Sequence, residues 1–322
     1  MKVMSLFSGG LDSQLAVCIL KEMGLEVLAV NFTTPFFNGG DSTRRYAEQL
    51  GVELLTFEIG DIYMEKVLRN PVYGFGKNLN PCIDCHAFML NTAGRNMDKY
   101  GASFLATGEV LGQRPMSQNK SALGAVDKLS GFRGLILRPL SAKLLPPTIP
   151  EDNGWVDRNA LYDISGRSRK RQMELADHYN LNDYPSPAGG CLLTDQNFTR
   201  RLLDLLKRSA NPGLNEIEIL KLGRHFSPET GVLLVIGRNH GENERLKRLS
   251  EPGDLLIKVA DRPGPLGLLR GLSEKQDIYV EWAASLAARY SDAKNEPLVE
   301  VKIFNHDESQ NSIIKVIPAP QT

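Results

Sequence analysis

A short apolar run, Val3-Met4-Ser5-Leu6-Phe7, leads straight into Ser8-Gly9-Gly10-Leu11-Asp12-Ser13, and a helical pattern opens at Gln14-Leu15-Ala16-Val17. A strand feeding a glycine-rich turn and then a helix starts a βα unit, and it constrains the fold more than any other stretch of the chain. Two adjacent glycines let the backbone approach a ligand closely. Ser8 and Ser13 add hydroxyls, and the helix start aims unpaired N–H groups and the positive end of its dipole at the same spot. Such a nest suits an oxyanion, most often a phosphate. The turn has no lysine and lacks the G-x-x-x-x-G-K-[ST] spacing, so it is not a Walker loop. The bland reading is an ordinary βα turn; the complete string favours phosphate.

Strands and helices continue to alternate. Residues 26–32, 52–57 and 103–108 read as further buried strands, and 42–50 and 85–100 as helices. Continuous apolar strands separated by helices predict an α/β domain with a parallel, Rossmann-like sheet covered on both faces. Ligands of such sheets sit beyond the carboxyl ends of the strands. There the Ser8 turn, residues 31–37 beginning at Asn31, and Thr107-Gly108-Glu109 converge. The proline-rich stretch 143–154 reads as a surface connection. With 322 residues the chain has room for two domains, placed at 1–195 and 196–322, the second a smaller α+β domain.

Lys plus Arg and Asp plus Glu balance at 38 each, so any RNA-binding surface must be local. No apolar run approaches a membrane span, and Met1-Lys2-Val3-Met4 enters the first strand without room for a signal peptide. The expected location is the cytoplasm.

Four cysteines carry the next signal. Cys18 lies on the apolar face of the first helix and reads as core. Cys82 and Cys85 form a C-x-x-C within Asn80-Pro81-Cys82-Ile83-Asp84-Cys85-His86, and Cys191 follows the flexible Pro187-Ala188-Gly189-Gly190. A structural disulfide is unexpected in a cytosolic chain. The c-type haem attachment string that Cys82 to His86 also matches does not suit that compartment or an α/β fold. The open readings are redox or persulfide chemistry, zinc with His86 as fourth ligand, an iron–sulfur cluster, or three unlinked thiols. Cys82, Cys85 and Cys191 together would hold three irons of a [4Fe–4S] cluster and leave one free.

The string S-G-G-x-D-S resembles the PP-loop of the ATP pyrophosphatases, and the chain resembles their tRNA-thiolating branch, the 2-thiouridylases and 4-thiouridine synthetases. Asn80-Pro81-Cys82 with Cys85 is similar to the first cysteine region of those enzymes. Thr107-Gly108-Glu109, Leu111-Gly112-Gln113 and Ser117-Gln118 resemble the G-E/D-x-L-G-Q-x-x-S-Q segment, Leu137-Arg138-Pro139-Leu140 the following R-P-L segment, and Gly190-Cys191 the second active cysteine. The resemblance covers about residues 1–195. It implies a nucleotide site of Ser8, Gly9, Gly10, Asp12 and Ser13, joined by Asn31, Thr107, Gly108 and Gln113, and a catalytic set of Asp12, Cys82, Cys85 and Cys191. No THUMP-type RNA-binding domain or rhodanese domain is read in the chain, so the sulfur donor is expected to be a separate sulfide or persulfide-carrying protein.

The C-terminal third differs. Residues 198–209 form an amphipathic basic helix, 231–237 and 254–259 are strands, 241–249 and 279–290 are helices, and 298–304 can pair with 312–316. Lys221-Leu222-Gly223-Arg224-His225-Phe226 and Ile236-Gly237-Arg238-Asn239 resemble the RNA-binding domain of the NFACT proteins. The cluster Arg167-Ser168-Arg169-Lys170-Arg171 is read either as a solvated helix face or, beside a nucleotide site, as an RNA-backbone contact through Arg167, Arg169, Lys170 and Arg171.

The leading expectation is an ATP-dependent, AMP-forming tRNA sulfurtransferase. ATP with Mg²⁺ adenylates a uridine carbonyl oxygen, and a [4Fe–4S] cluster on Cys82, Cys85 and Cys191 delivers sulfur. The alternatives are persulfide delivery by Cys191 or Cys85 with the thiolate favoured by a helix N-terminus just after Cys85, a PP-loop enzyme adenylating a small molecule, and a zinc-containing RNA-binding protein.

Overall fold

The computed structural model describes residues 1–37, 40–186, 190–209, 211–229, 231–272 and 277–320. The chain divides into two compact units, Met1–Thr199 and Arg200–Thr322.

The first unit is built on five parallel strands, β1 (Lys2–Leu6), β2 (Glu26–Thr33), β3 (Glu53–Glu58), β4 (Phe104–Thr107) and β5 (Ile136–Leu137). Their order is β3-β2-β1-β4-β5. The central strands are buried on both faces, which is why they read as unbroken apolar runs: Val3, Met4, Leu28, Ala29, Val30, Phe104, Leu105 and Ala106 are all inaccessible or nearly so. At the carboxyl end of β1, Leu6 pairs with Val30 on one side and Thr107 on the other. The strand order turns about β1, and the crevice beyond this point is the switch-point position where open α/β sheets bind ligands. The fold is α/β and Rossmann-like.

Most boundaries shift by a residue or two; the helix expected over 42–50 spans Gly40–Gln49. One shift matters. The helix expected over 85–100 starts at Cys82, ends at Arg95 and is followed by a separate turn, Met97–Tyr100. Pro81 precedes the first helical residue, and Asp84 supplies a carboxylate in the first turn, where the dipole favours it. The C-x-x-C is therefore helical rather than part of a preceding loop. β5, two residues long, is too short for periodicity to reveal. The stretch 143–154 carries a short helix, Ile149–Asp152, where the Thr148 N–H donates to Glu151 Oε2 at 2.8 Å.

The second unit holds a six-stranded antiparallel sheet of order β11-β10-β8-β9-β7-β6. The strands are β6 (Arg224–Phe226), β7 (Leu233–Ile236), β8 (Leu255–Val259), β9 (Gly267–Arg270), β10 (Val299–Asn305) and β11 (Asn311–Val316). The closing pair β10–β11 forms as expected; β6 and β9, three and four residues long, were not foreseen. Along β7 the side chains alternate between two cores. Leu234 and Ile236 pack with Ala283, Ala284, Ala287 and Ala288 of the helix Asp277–Arg289. Leu233 and Val235 pack with Ile219, Leu222 and Leu246 on the other face. No helix among the described residues is long and apolar enough to cross a membrane.

Candidate active site

The turn after β1 is shaped by its glycines. Gly9 has φ +77°, and a Cβ there would lie 2.9 Å from Tyr46 Cδ2 and 3.1 Å from Thr43 Oγ1. Gly10 caps the helix Leu11–Glu22 in an extended conformation. The turn is held from within: Gln14 Nε2 donates to the Gly9 carbonyl at 2.8 Å, and Ser13 Oγ donates to the Gly10 carbonyl at 2.8 Å. Ser8 Oγ accepts the Gly10 N–H at 3.4 Å.

Asp12, in the first turn of this helix, is the centre of a polar cluster. Burial raises its pKa, against the opposing pull of Gln113, Arg169, Gln172 and Arg114. Gln113 Nε2 donates to Asp12 Oδ2 at 3.0 Å. Asp12 Oδ1 is buried without a hydrogen-bond partner, and so are Arg169 Nε and both amide atoms of Gln172, a residue with 0% exposure. Leaving one such group buried and unsatisfied costs about 1–3 kcal/mol. Three orphaned atoms beside an orphaned carboxylate oxygen describe a cradle for a polar guest. A free carboxylate oxygen suits a hard cation such as Mg²⁺, and the guanidinium suits a phosphate.

Gly108 explains how β4 meets this turn. A Cβ at Gly108 would fall 2.5 Å from the Asp12 carbonyl carbon and 2.6 Å from the Ser13 nitrogen, so only glycine permits the approach. Its neighbours anchor the strand end. Thr107 Oγ1 donates to Glu109 Oε2 at 3.1 Å, and Arg138 Nε donates to the same oxygen at 2.9 Å. Arg138 also forks onto Asp127, at 2.8 and 3.2 Å. Glu109 Oε1 lies 2.6 Å from His86 Nδ1. Burial opposes ionisation of Glu109, but Arg138 and His86 prevail and hold its pKa at about 2. Three separate motifs, at residues 82–86, 107–109 and 137–140, thus meet in one buried network.

Cys82, Cys85 and Cys191 share one neighbourhood: Cys191 and Cys82 both act electrostatically on Cys85, and Cys82 acts on Cys191. Their surroundings differ. Cys82, half-buried at the helix start, accepts from Asn80 Nδ2 at 3.3 Å. Cys85 is buried beside the Tyr63 hydroxyl, and burial pushes its thiol well above the ordinary range. This corrects the expectation of a helix terminus lowering the Cys85 pKa. The helix begins three residues earlier, at Cys82, and desolvation outweighs the dipole. Cys191 is half-buried and pushed up to about 11 by burial, with the Leu193 backbone and Arg114 pulling the other way. Its segment is tied down: the Leu192 N–H donates to the Phe36 carbonyl at 2.9 Å, and Asn78 Nδ2 donates to the Thr194 carbonyl at 2.7 Å. Residues 187–189 of the expected flexible turn lie outside the described residues. Cys18 is partly buried against the main core.

Among the described residues no group of three or more His, Cys, Asp or Glu side chains is arranged to hold a metal ion; Cys82, Cys85 and Cys191 are neighbours. His86, weighed as a fourth zinc ligand, is engaged by Glu109.

The basic cluster also divides. Arg171 pairs with Asp163 at 2.6 Å and Lys170 approaches Glu174 at 4.0 Å, both at the surface, and Arg167 is exposed. Arg169 instead sits half-buried within electrostatic reach of Asp12. Arg114 was missed in the sequence. It acts on both Asp12 and Cys191, and nothing but its place in the segment after Gln113 hinted at it. Asn31 is buried in β2 opposite Thr56.

Comparison with known proteins gives two matches to family models: residues 1–129 with the tRNA methyl transferase HUP domain, and residues 223–322 with the NFACT protein RNA binding domain. Both agree with the resemblances read in the sequence. Among curated relatives, the tRNA-specific 2-thiouridylase MnmA of Clostridium acetobutylicum is 33% identical over 124 residues, 33% of this chain and 35% of that protein. MnmA of Halothermothrix orenii is 23% identical over 229 residues, 66% of this chain and 61% of that protein. The chain thus spans between about a third and three fifths of these relatives' length. A solved structure, a predicted subunit of tRNA methyltransferase from Methanocaldococcus jannaschii, aligns with a TM-score of 0.33 at 24% identity, covering 43% of this chain and 69% of that one; a score so low carries no argument.

Proposed function

We propose that this protein is an ATP-dependent tRNA uridine thiolase that delivers sulfur through a cysteine persulfide. The observation that supports the reading is Arg114, whose charge acts on both Asp12, next to the glycine-rich turn, and the Cys191 thiol. The 2-thiouridylase relatives and the HUP match support the same chemistry.

ATP places its phosphates against Ser8, Gly9, Gly10 and Ser13 at the helix start, where backbone N–H groups receive them. Asp12, whose Oδ1 has no hydrogen-bond partner, would hold a Mg²⁺ ion, which would neutralise charge on the phosphates. Arg169 and Gln172 give their unpartnered donors to the same phosphates. The uridine carbonyl oxygen attacks the α-phosphorus and pyrophosphate leaves, converting that oxygen into part of an AMP leaving group.

Cys191 carries the sulfur as a persulfide: its thiolate attacks the outer sulfur of an external persulfide donor, and the donor's own thiol leaves. Its terminal sulfur loses a proton and attacks the activated carbon, and AMP departs with the oxygen. The Cys82 thiolate then attacks the Cys191 sulfur; the sulfur–sulfur bond to the nucleoside breaks, leaving thiouridine and a Cys82–Cys191 disulfide. An external thiol reductant supplies the two electrons that restore both thiols. Cys85, buried and with its thiol pushed far up, is a supporting residue in this scheme rather than a nucleophile.

The test is incubation of unmodified tRNA with ATP, Mg²⁺, a persulfide donor and a thiol reductant, followed by nucleoside mass spectrometry. Thiouridine should appear with AMP in equal amounts, and vanish with Asp12→Ala, Cys82→Ala or Cys191→Ala. ATP turnover indifferent to tRNA, with no thionucleoside, would sink the reading.

A further inference from the structure

The second unit contains a cavity of about 190 Å³ whose walls include Arg200, Arg201, Arg208, His225 and Ser227. Three guanidinium groups face a single lining carboxylate, Asp204. Among the described residues neither Arg200 nor Arg208 forms an ion pair with a carboxylate, although arginines elsewhere in this unit do: Arg270 pairs with Asp254 at 2.7 Å and Arg262 with Glu296 at 3.2 Å. Arg201 is fixed by donation to the Leu220 carbonyl at 2.8 Å and the Gly223 carbonyl at 3.3 Å. Arg208 donates its Nε to the Asp204 carbonyl at 3.2 Å, which positions the guanidinium without a direct ion pair.

The surroundings register this excess of positive charge. Burial, together with Arg201 and Arg208, lowers the His225 pKa to about 4. His225 is therefore neutral at physiological pH, with Nε2 2.9 Å from the Leu222 carbonyl. Burial also lowers the Arg208 pKa, Arg270 adding to the effect while Glu216 and Asp204 pull the other way. A cation that is half-buried, oriented and short of counter-charge is stabilised by an incoming anion. The cavity is smaller than the roughly 300 Å³ at which pockets begin to enclose whole organic ligands, so it suits a single oxyanionic group. Arginine's planar fork matches the oxygens of a phosphate.

We propose that this cavity binds a backbone phosphodiester of the RNA substrate, with Arg200 and Arg208 as its principal contacts. The arginines lie on the helix Gln196–Arg208, ahead of the segment 223–322 that matches the NFACT protein RNA binding domain, whereas His225 and Ser227 fall within it. The proposal rests on the reading of tRNA as substrate. It assigns the second unit a sequence-independent anchoring role, since phosphate contacts position a nucleic acid without reading its bases.

The experiment measures binding of fluorescently labelled tRNA to the full chain, by anisotropy over a salt series, for wild type, Arg200→Gln, Arg208→Gln and the control Arg262→Gln. Each cavity variant should weaken binding by about tenfold and reduce the slope of log K against log salt by about one. The control should leave both unchanged. Thermal melts establish that each variant is folded, and Arg200→Gln, on an exposed side chain, serves if Arg208→Gln is not. Unchanged affinity and slope in a folded cavity variant would overturn the proposal. So would inorganic phosphate binding that is lost in the variants while tRNA binding is kept, since the cavity would then serve a free anion. Thiolation by Cys82→Ser, measured beside its tRNA binding, separates the two readings. If wild type binds tRNA in an Arg208-dependent way but makes no thiouridine, the anchor stands and the thiolation reading falls.

Discussion

Gln113 and Asp12 lie 101 residues apart in the chain, yet Gln113 Nε2 donates to Asp12 Oδ2 at 3.0 Å. The bond ties the segment that follows β4 to the first helical turn after the glycine-rich loop. It also supports the ionised form of a carboxyl that burial alone would keep protonated to a higher pH.

Gln113→Leu is therefore expected to raise the Asp12 pKa further. A carboxyl with a raised pKa stays neutral over more of the acidic range, so the acid limb of the pH–rate profile should move towards higher pH. A hydrogen bond to a charged group contributes about 1.5–3 kcal/mol, so ATP·Mg²⁺ affinity should fall by about tenfold or more. Equilibrium dialysis and a pH–rate series check both; an unmoved acid limb would exclude the role given to Gln113.

Gln172→Met should separate stability from binding. Both amide atoms of Gln172 are buried without a close hydrogen bond although Gln172 favours ionised Asp12, so an apolar side chain of similar size should relieve about 1–3 kcal/mol of burial cost and raise the Asp12 pKa further. The same change should reduce the rise in Tm that ATP produces. Melting curves with and without nucleotide decide the matter; a lower ligand-free Tm would mean that Gln172 is satisfied by something other than the nucleotide.

Gly108→Ala should disable the nucleotide site. The added methyl carbon would sit 2.5 Å from the Asp12 backbone, which cannot yield without moving the helix start. ATP binding should be lost, with destabilisation of about 1–3 kcal/mol from overpacking. Calorimetric titration with ATP is the measurement.

The Glu109 network predicts an acid-sensitive fold. The Glu109 pKa is lowered from 4.5 to about 2, so its stabilisation is complete above pH 4.5 and is lost as pH falls from about 4.5 towards 2. The size is on the order of 3 kcal/mol. Denaturant titrations at stepped pH should show this loss in wild type and not in Glu109→Gln, which begins less stable because Arg138 loses a buried partner.

Much of the first unit was legible because its signals are local. A buried parallel strand must be apolar throughout, and a glycine-rich turn before a helix writes its phosphate-binding geometry into six consecutive residues, Ser8 to Ser13. The α/β class and the antiparallel β10–β11 closure followed from the same local patterning. What sequence could not resolve depends on groups far apart in the chain. Burial raises the Cys85 thiol despite its place near a helix start, because desolvation by the surrounding core outweighs the hydrogen bond from Tyr63. Arg169 reads like its neighbours in a basic run, but packing turns it towards Asp12 while Arg171 stays at the surface with Asp163. Composition and motif name the chemistry available to this chain; the tertiary structure decides which thiol is buried, which arginine acts on the carboxylate and which glycine lets β4 reach the helix, since each rests on distances that no periodicity encodes.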